Sequence, residues 1–137
     1  MSSDIKKKLE DEIAALEKEL REELPKALKT AAALGDLGAR FPDTDERWKG
    51  ADSMKLLAQC VEEVRSAGYT IGNIDATIVV QRPKLAPYIE RMRESVARSV
   101  DVVVAQVSVK AKTSEGMGYT GDGSGIAVYA VVLIERS

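Results

Sequence analysis

Residues 73–113 carry the pattern that most restricts the fold. Two stretches of period-two hydrophobicity flank one of helical period. In Asn73–Gln81, Ile74, Ala76, Ile78 and Val80 fall on one side, and in Val102–Thr113, Val103, Ala105, Val107, Val109 and Ala111 do the same. Between them Leu85, Ile89, Met92 and Val96 form a stripe, on a helix that Pro83 opens and that accepts Pro87 only in its first turn. Strand, helix and strand in that order predict two parallel strands joined by a right-handed crossover. Gly125–Glu135 reads as a third strand, apolar on both faces, which places it centrally in the sheet or at a subunit contact. Three strands leave sheet edges that something must cover. Upstream, Asp52 or Ser53 caps a helix with Met54, Leu57, Val61 and Val64 on its buried face, and Gly68 ends it. The fold class is α/β, a mixed sheet of about three strands with helices on one face, preceded by a long N-terminal helix.

That first helix spans Asp4 to about Ala33. Ile5, Leu9, Ile13, Leu16, Leu20, Leu24 and Leu28 recur at steps of three or four. Ser3 or Asp4 caps it, and Glu17/Arg21 and Glu22/Lys26 are spaced as favourable i,i+4 pairs. Pro25 removes a helical hydrogen bond and is expected to bend or interrupt the helix near Glu22.

The 137 residues amount to about one domain, large enough for a core. A net charge of −2 favours neither nucleic acid nor acidic surfaces as partners. Cys60 is the single cysteine, a usage that suits a reducing cytoplasm. No stretch is apolar enough to predict a membrane span, and the N-terminus is too charged for a signal peptide. Histidine is absent altogether, which removes the commonest general base and metal ligand.

Three segments carry candidate chemistry. Ala31–Ser53 holds Asp36, Asp43, Asp45 and Asp52, more acid than a plain connector needs. Gln81–Pro87 leaves a strand and enters a helix, placing free backbone N–H groups beside Lys84, an arrangement that attracts anions. Lys112–Gly125 is rich in glycine and hydroxyls, and its Glu115 suits a hard cation such as Mg²⁺ between phosphates. On these residues alone, ordinary surface loops are the stronger reading.

Several motifs in register carry a resemblance. Gly35-Asp36-Leu37-Gly38, Phe41-Pro42-Asp43-Thr44-Asp45, Lys49-Gly50-Ala51-Asp52-Ser53, Gly72-Asn73-Ile74-Asp75-Ala76-Thr77, Gln81-Arg82-Pro83-Lys84, Val109-Lys110-Ala111 and Gly118-Tyr119-Thr120-Gly121 occur in order. Over residues 31–134 the chain resembles the 2-C-methyl-D-erythritol 2,4-cyclodiphosphate synthases. The resemblance implies a homotrimer whose sheets line the three-fold axis, with active sites between subunits. It implies a lyase of non-mevalonate isoprenoid biosynthesis that cyclises a cytidine-diphosphate methylerythritol phosphate, using zinc and magnesium, and releases CMP.

Position by position, it implies that Asp36, Leu37 and Gly38 contact the methylerythritol unit. Phe41, Pro42, Asp43, Thr44 and Asp45 continue that pocket. Val80, Gln81, Arg82, Pro83, Lys84, Leu85 and Ala86 form the cytidine loop, with Lys84 near the phosphates. Thr113 becomes the catalytic residue that polarises a phosphate, Glu115 the magnesium ligand, and Lys112, Ser114 and Tyr119 further substrate-binding residues. Departures are equally specific. The family's N-terminal strand with its Asp-x-His zinc pair, its hairpin, its His-Ser loop and the zinc histidine before Asp36 have no counterpart. Such a site needs three protein ligands, so the zinc site is expected to be absent. Lys112 stands where a threonine is usual, and Asp122 and Ser124 replace an Arg and a Glu beside the three-fold axis.

The replacing segment, Ile5–Leu37, resembles the first coiled-coil helix of Gre-type transcript-cleavage factors. The match lies in Leu9–Glu17, Glu23-Leu24-Pro25-Lys26 and Ala33-Leu34-Gly35-Asp36-Leu37. The returning helix and second tip acid are missing, which argues against RNA polymerase as a partner. The chain thus reads as a Gre-like helix over 1–34 fused to a truncated synthase-like domain over 35–137. Two readings follow: an impaired synthase that binds a cytidine nucleotide and Mg²⁺, or a non-catalytic chimeric or engineered oligomerising protein that keeps the fold. Both imply a homotrimer without membrane or nucleic-acid partners. Ile5–Leu20 is expected either to fold back on the domain or to pair with its copy in another subunit, and its charged flanks favour the pairing.

Overall fold

The computed structural model describes residues 3–33, 53–113 and 125–137. In order come α1 (Ser3–Ala31), α2 (Ser53–Ser66), β1 (Tyr69–Val79), a 3-10 turn (Ala86–Tyr88), α3 (Ile89–Val100), a second 3-10 turn (Val104–Gln106), β2 (Val107–Lys112) and β3 (Ala127–Arg136). β1 is the middle strand, parallel to β2 and antiparallel to β3.

Pairing register explains which side chains are buried. Val107, Ile74 and Val132 form one row, and Val109, Ala76 and Ala130 the next. The members of these rows on β1 and β2 are buried under the helices, and Val132 and Ala130 pack against them. The other face carries the rows Ser108–Asp75–Val131 and Lys110–Thr77–Tyr129. There Tyr129, Val131 and Leu133 of β3 are 62%, 68% and 53% exposed. β3 is therefore apolar on both faces, as its sequence requires, and among the described residues only one face is covered.

Two strand boundaries differ from expectation. β1 begins at Tyr69, directly after Gly68 closes α2 at φ +96°. It contains a bulge at Gly72, where the register with β3 shifts between Ile71 and Asn73. The extra residue lets Ile71 and Ile74 both reach the core despite a spacing that breaks strict alternation. β2 is shorter than the pattern suggests. Val103 and Val104 are exposed, because Val104–Gln106 is a 3-10 turn. Gln106 fastens that turn to the bulge. Its Nε2 donates to the carbonyls of Ile71 (3.1 Å) and Gly72 (2.9 Å), while its Oε1 accepts from Val103 N (3.2 Å). Gln106→Leu should cost about 1–3 kcal/mol, read as a lower urea midpoint; an unchanged midpoint would show that water replaces the buckle.

α1 continues through Pro25 without interruption. Leu20, Leu24 and Leu28 are buried on either side of the proline. At about 1.5–3 kcal/mol each, their burial outweighs the roughly 3 kcal/mol cost of an interior proline. The i,i+4 pairs expected along this helix give way to other partners. Arg91 of α3 donates to Glu10 (2.8 Å) and Glu17 (2.9 Å), and Arg21 Nε donates to Ser53 Oγ (3.3 Å). The bond to Glu10 is the main reason that the Arg91 guanidinium is held above its ordinary range. Glu22 sits instead with Lys18, and Lys26 with Glu23. Lys29, almost wholly buried, pairs with Glu63 of α2. Because Ile13, Leu16 and Leu20 are buried within the chain, the N-terminal half of α1 folds back on its own domain. The expected helix pairing between subunits is overturned.

Candidate functional site

Parallel sheets bind ligands beyond the carboxyl ends of their strands, where loops and helix starts leave polar backbone free. In this chain β1 and β2 end together, Val79 opposite Lys112. One residue further, Val80 N donates to Lys112 O (3.0 Å), and Thr113 Oγ1 donates to Gln81 Oε1 (2.9 Å). β3 begins at the same end, Ala127 pairing with Val79.

The loop after β1 is held at two points. Val80 and Leu85 are both buried, and Tyr88 N closes on Leu85 O (2.8 Å). Their side chains belong to the core, so only their backbone is available to a ligand. Gln81, Arg82, Lys84 and Ala86 are exposed between and beside these anchors, with Pro83 half-buried. Lys112 and Thr113 are exposed at the end of β2. Arg82, Lys84, Lys112 and a hydroxyl thus gather at the ends of two adjoining strands, a setting that attracts a polyanion.

One expectation changes here. No α-helix opens at Pro83; α3 begins at Ile89, after the 3-10 turn. Pro87 would be the fifth residue of a helix opened at Pro83, where its missing N–H and its ring break the ladder. It occupies the start of the 3-10 turn, where no donor is required. Lys84 is therefore a loop cation and does not stand beside an α-helix N-terminus. Asp36, Leu37, Gly38, Phe41, Pro42, Asp43, Thr44, Asp45, Ser114, Glu115 and Tyr119 lie outside the described residues.

A groove of about 590 Å³ lies elsewhere, along the outer edge of β2. Its polar groups are already engaged. Arg93 donates to Val107 O (2.7 Å) and Val104 O (3.0 Å) and pairs with Glu90; Gln106 holds the bulge; Asp75 Oδ2 accepts from Lys110 (2.9 Å). Asp75 Oδ1 is buried without a partner among the described residues. Since most of its donors and acceptors serve the fold, the strand ends are the better candidate.

A sequence model of the YgbB family matches residues 20–135. The 2-C-methyl-D-erythritol 2,4-cyclodiphosphate synthase of Trichlorobacter lovleyi is 57% identical over 108 residues, 79% of this chain and 69% of that protein. The chain belongs to this cyclodiphosphate synthase (YgbB) family. The synthase of Pseudomonas aeruginosa is also 57% identical, over 81% of the chain and 71% of its own length. Among solved structures, bifunctional IspDF from Campylobacter jejuni aligns with a TM-score of 0.79 at 37% identity, over 86% of this chain and 32% of that one. A 2C-methyl-D-erythritol-2,4-cyclodiphosphate synthase in its CDP-bound form aligns at 0.75 and 32% identity, over 84% and 74%. The family match begins inside α1, upstream of the part boundary expected at residues 34 and 35.

A zinc ion of the kind the synthase resemblance implies does not fit the residues present. The chain has no histidine, and Cys60 is sealed in the core. No group of three candidate metal ligands occurs among the described residues, and no helix there is long and apolar enough to cross a membrane.

The sequence named the loop residues but not their connection. Gln81 and Thr113 are 32 positions apart. The signal was available: each follows the end of one of two strands read as parallel, so the register alone brings them together.

Proposed function

We propose that this synthase-family chain binds a cytidine diphosphate at the ends of β1 and β2 and is impaired in cyclisation. The observation that carries the reading is the Thr113–Gln81 hydrogen bond, which joins the cytidine-loop residues to the phosphate-loop root. The CDP-bound state of a structural relative supports the choice of nucleotide. Lys84, with Arg82 and Lys112, supplies charge for the diphosphate, Thr113 a hydroxyl for a phosphoryl oxygen, and Glu115 a carboxylate for Mg²⁺. Methylerythritol contacts fall to Asp36–Gly38 and Phe41–Asp45.

Impairment follows from the donor chemistry. Without histidine the chain lacks the nitrogen ligands that the family's zinc site uses, and no step is assigned to that ion. Calorimetry with CDP and Mg²⁺ should detect binding that Lys84→Ala weakens about tenfold, the worth of one charge-assisted hydrogen bond. No heat of binding would overturn the nucleotide reading. Zinc-dependent release of CMP from the family's substrate would overturn the impairment.

A homotrimer is part of the same proposal, because Tyr129, Val131 and Leu133 present an apolar strip that nothing among the described residues covers. The strip also favours the alternative, an oligomerising protein that keeps the fold without turnover. The division into a Gre-like helix (1–34) and a synthase-like part (35–137) is retained as a proposal about origin, testable by whether 35–137 alone stays soluble.

A further inference from the structure

The phase of the ladder shows how each edge of the sheet is left. Val80 N donates to Lys112 O (3.0 Å), so Lys112, Lys110 and Ser108 turn their backbone groups toward β1. Ile74, Ala76 and Ile78 answer them, which leaves Asn73, Asp75, Thr77 and Val79 to bond β3. Their partners there are Leu133, Val131, Tyr129 and Ala127. Ser137 N, donating to Gly68 O (2.8 Å), keeps the same odd-numbered phase. Val128, Ala130, Val132 and Ile134 therefore point their N–H and C=O groups out of the sheet, where no described residue bonds them. The β2 edge is short and guarded, since Arg93 takes Val107 O and two lysines lie along the strand. The β3 edge has no guard. Ala127–Ile134 contains neither charge nor proline.

We propose that this edge pairs with the same edge of a second copy, antiparallel about a two-fold axis at Val131. The strand is self-complementary in that register. Val128 opposes the partner's Ile134 and Ala130 the partner's Val132, so every outward N–H meets an outward C=O. On the uncovered face Tyr129 meets the partner's Leu133, and the two apolar strips join. Glu135 and Arg136 fall opposite the partner's Ala127 and Ile126, so no like charges meet. A shift of two residues either way leaves outward groups unpaired at the strand ends. There is also room. A groove of about 390 Å³ lies between α1 and β3, with Ala27, Thr30 and Ala31 on one side and Ala130–Val132 on the other. Those small side chains admit the partner's α1 alongside. The core-side residues of β3 are only half-buried, whereas Ile74, Ala76 and Ile78 of β1 are buried, so pairing still has apolar surface to cover. The contact uses the strand's edge and not the face given to the trimer, and so goes beyond that reading. Where both contacts form, two trimers join.

The test is Ala130→Pro in the full chain. Proline there removes only an outward N–H, and edge strands tolerate it, so the ladder to β1 keeps its bonds while the partner loses one and meets the ring. Light scattering at micromolar concentration should show the assembly mass halved relative to the wild type. Hydrogen exchange resolved to single amides gives a second reading. In the wild type the amides of Val128, Ala130, Val132 and Ile134 should exchange at least about tenfold faster once dilution separates the copies, while those of Tyr129, Val131 and Leu133 stay slow. If the second set is fast in Ala130→Pro, the variant has lost its fold and the wild-type dilution series decides. An unchanged mass in a folded variant would overturn the pairing. So would a wild-type mass of one copy, or of three, and three would leave the trimer standing. A wild-type mass of two copies would support the edge and remove the trimer. Outward amides that stay slow where the mass is that of one copy would also overturn the pairing, because the edge would then be covered within the chain.

Discussion

Val131→Lys should convert the proposed homotrimer into monomers that remain folded, as measured by light scattering at micromolar concentration. Tyr129, Val131 and Leu133 project from β3 on the face away from the helices and are more than half exposed. Covering such side chains gains about 1–2 kcal/mol apiece, a large part of full burial. The pairing register decides which substitution tests assembly without harming the subunit. Val131 lies opposite Asp75, so an aspartate there would add cross-strand repulsion within one chain. A lysine instead meets a carboxylate whose Oδ1 is otherwise without a partner among the described residues. Within the monomer the substitution is neutral or mildly favourable. Across a three-fold contact it brings three ammonium groups together in an apolar setting, at a cost of several kcal/mol. A wild-type monomer would remove the trimer from the proposal. A trimer that survives the lysine would place the contact on a different surface.

Legibility of the fold followed how local each cause was. The period-two runs over Ile74–Val80 and Val107–Val109 are local, and they located the parallel pair that the register records. The positive-φ glycine at Gly68 was equally readable, since helices commonly end on such a residue. The bulge was not. The contact that fastens it, from Gln106 to two carbonyls 34 and 35 positions away, spans more than any one window of sequence. The same limit explains Pro25. Propensity counted one missing hydrogen bond, but Leu20, Leu24 and Leu28 reach a core that only the assembled domain provides.

The site was legible as a set of residues and less so as an arrangement. Family-like motifs pointed to Val80–Ala86 and Lys112–Thr113, and the strand ends bring these together. They counted Val80 and Leu85 as ligand contacts, although the period-two run and the helical stripe that contain these residues already put both on the apolar side, where they are buried. Nor was Lys84 placed correctly. That reading kept Pro83 as the helix opener and fitted Pro87 into its first turn, whereas Pro87, four residues on, lies past the positions where a missing N–H is harmless.

Leu20→Ala should lower stability by about 2–5 kcal/mol, the range for emptying a fully packed leucine site. Leu20 is 1% exposed, and Ile13, Leu16, Leu24 and Leu28 lie along the same buried stripe. For a domain whose total stability is about 5–15 kcal/mol, one such loss is large. It also distinguishes two roles for α1. A helix that served only to join subunits would lose its support on dilution and contribute nothing to the monomer. A helix packed on its own domain protects its amides at every protein concentration. Measuring both quantities on Val131→Lys removes assembly from the comparison, because stability then no longer depends on subunit concentration. On that background amide exchange over residues 9–20 should stay slow on dilution and become fast in Leu16→Asp, which forces a carboxylate into the same stripe. Fast exchange without Leu16→Asp would mean that α1 needs a partner subunit. The bonds of Arg91 to Glu10 and Glu17 would then be too weak to hold it, as expected of largely exposed ion pairs acting alone.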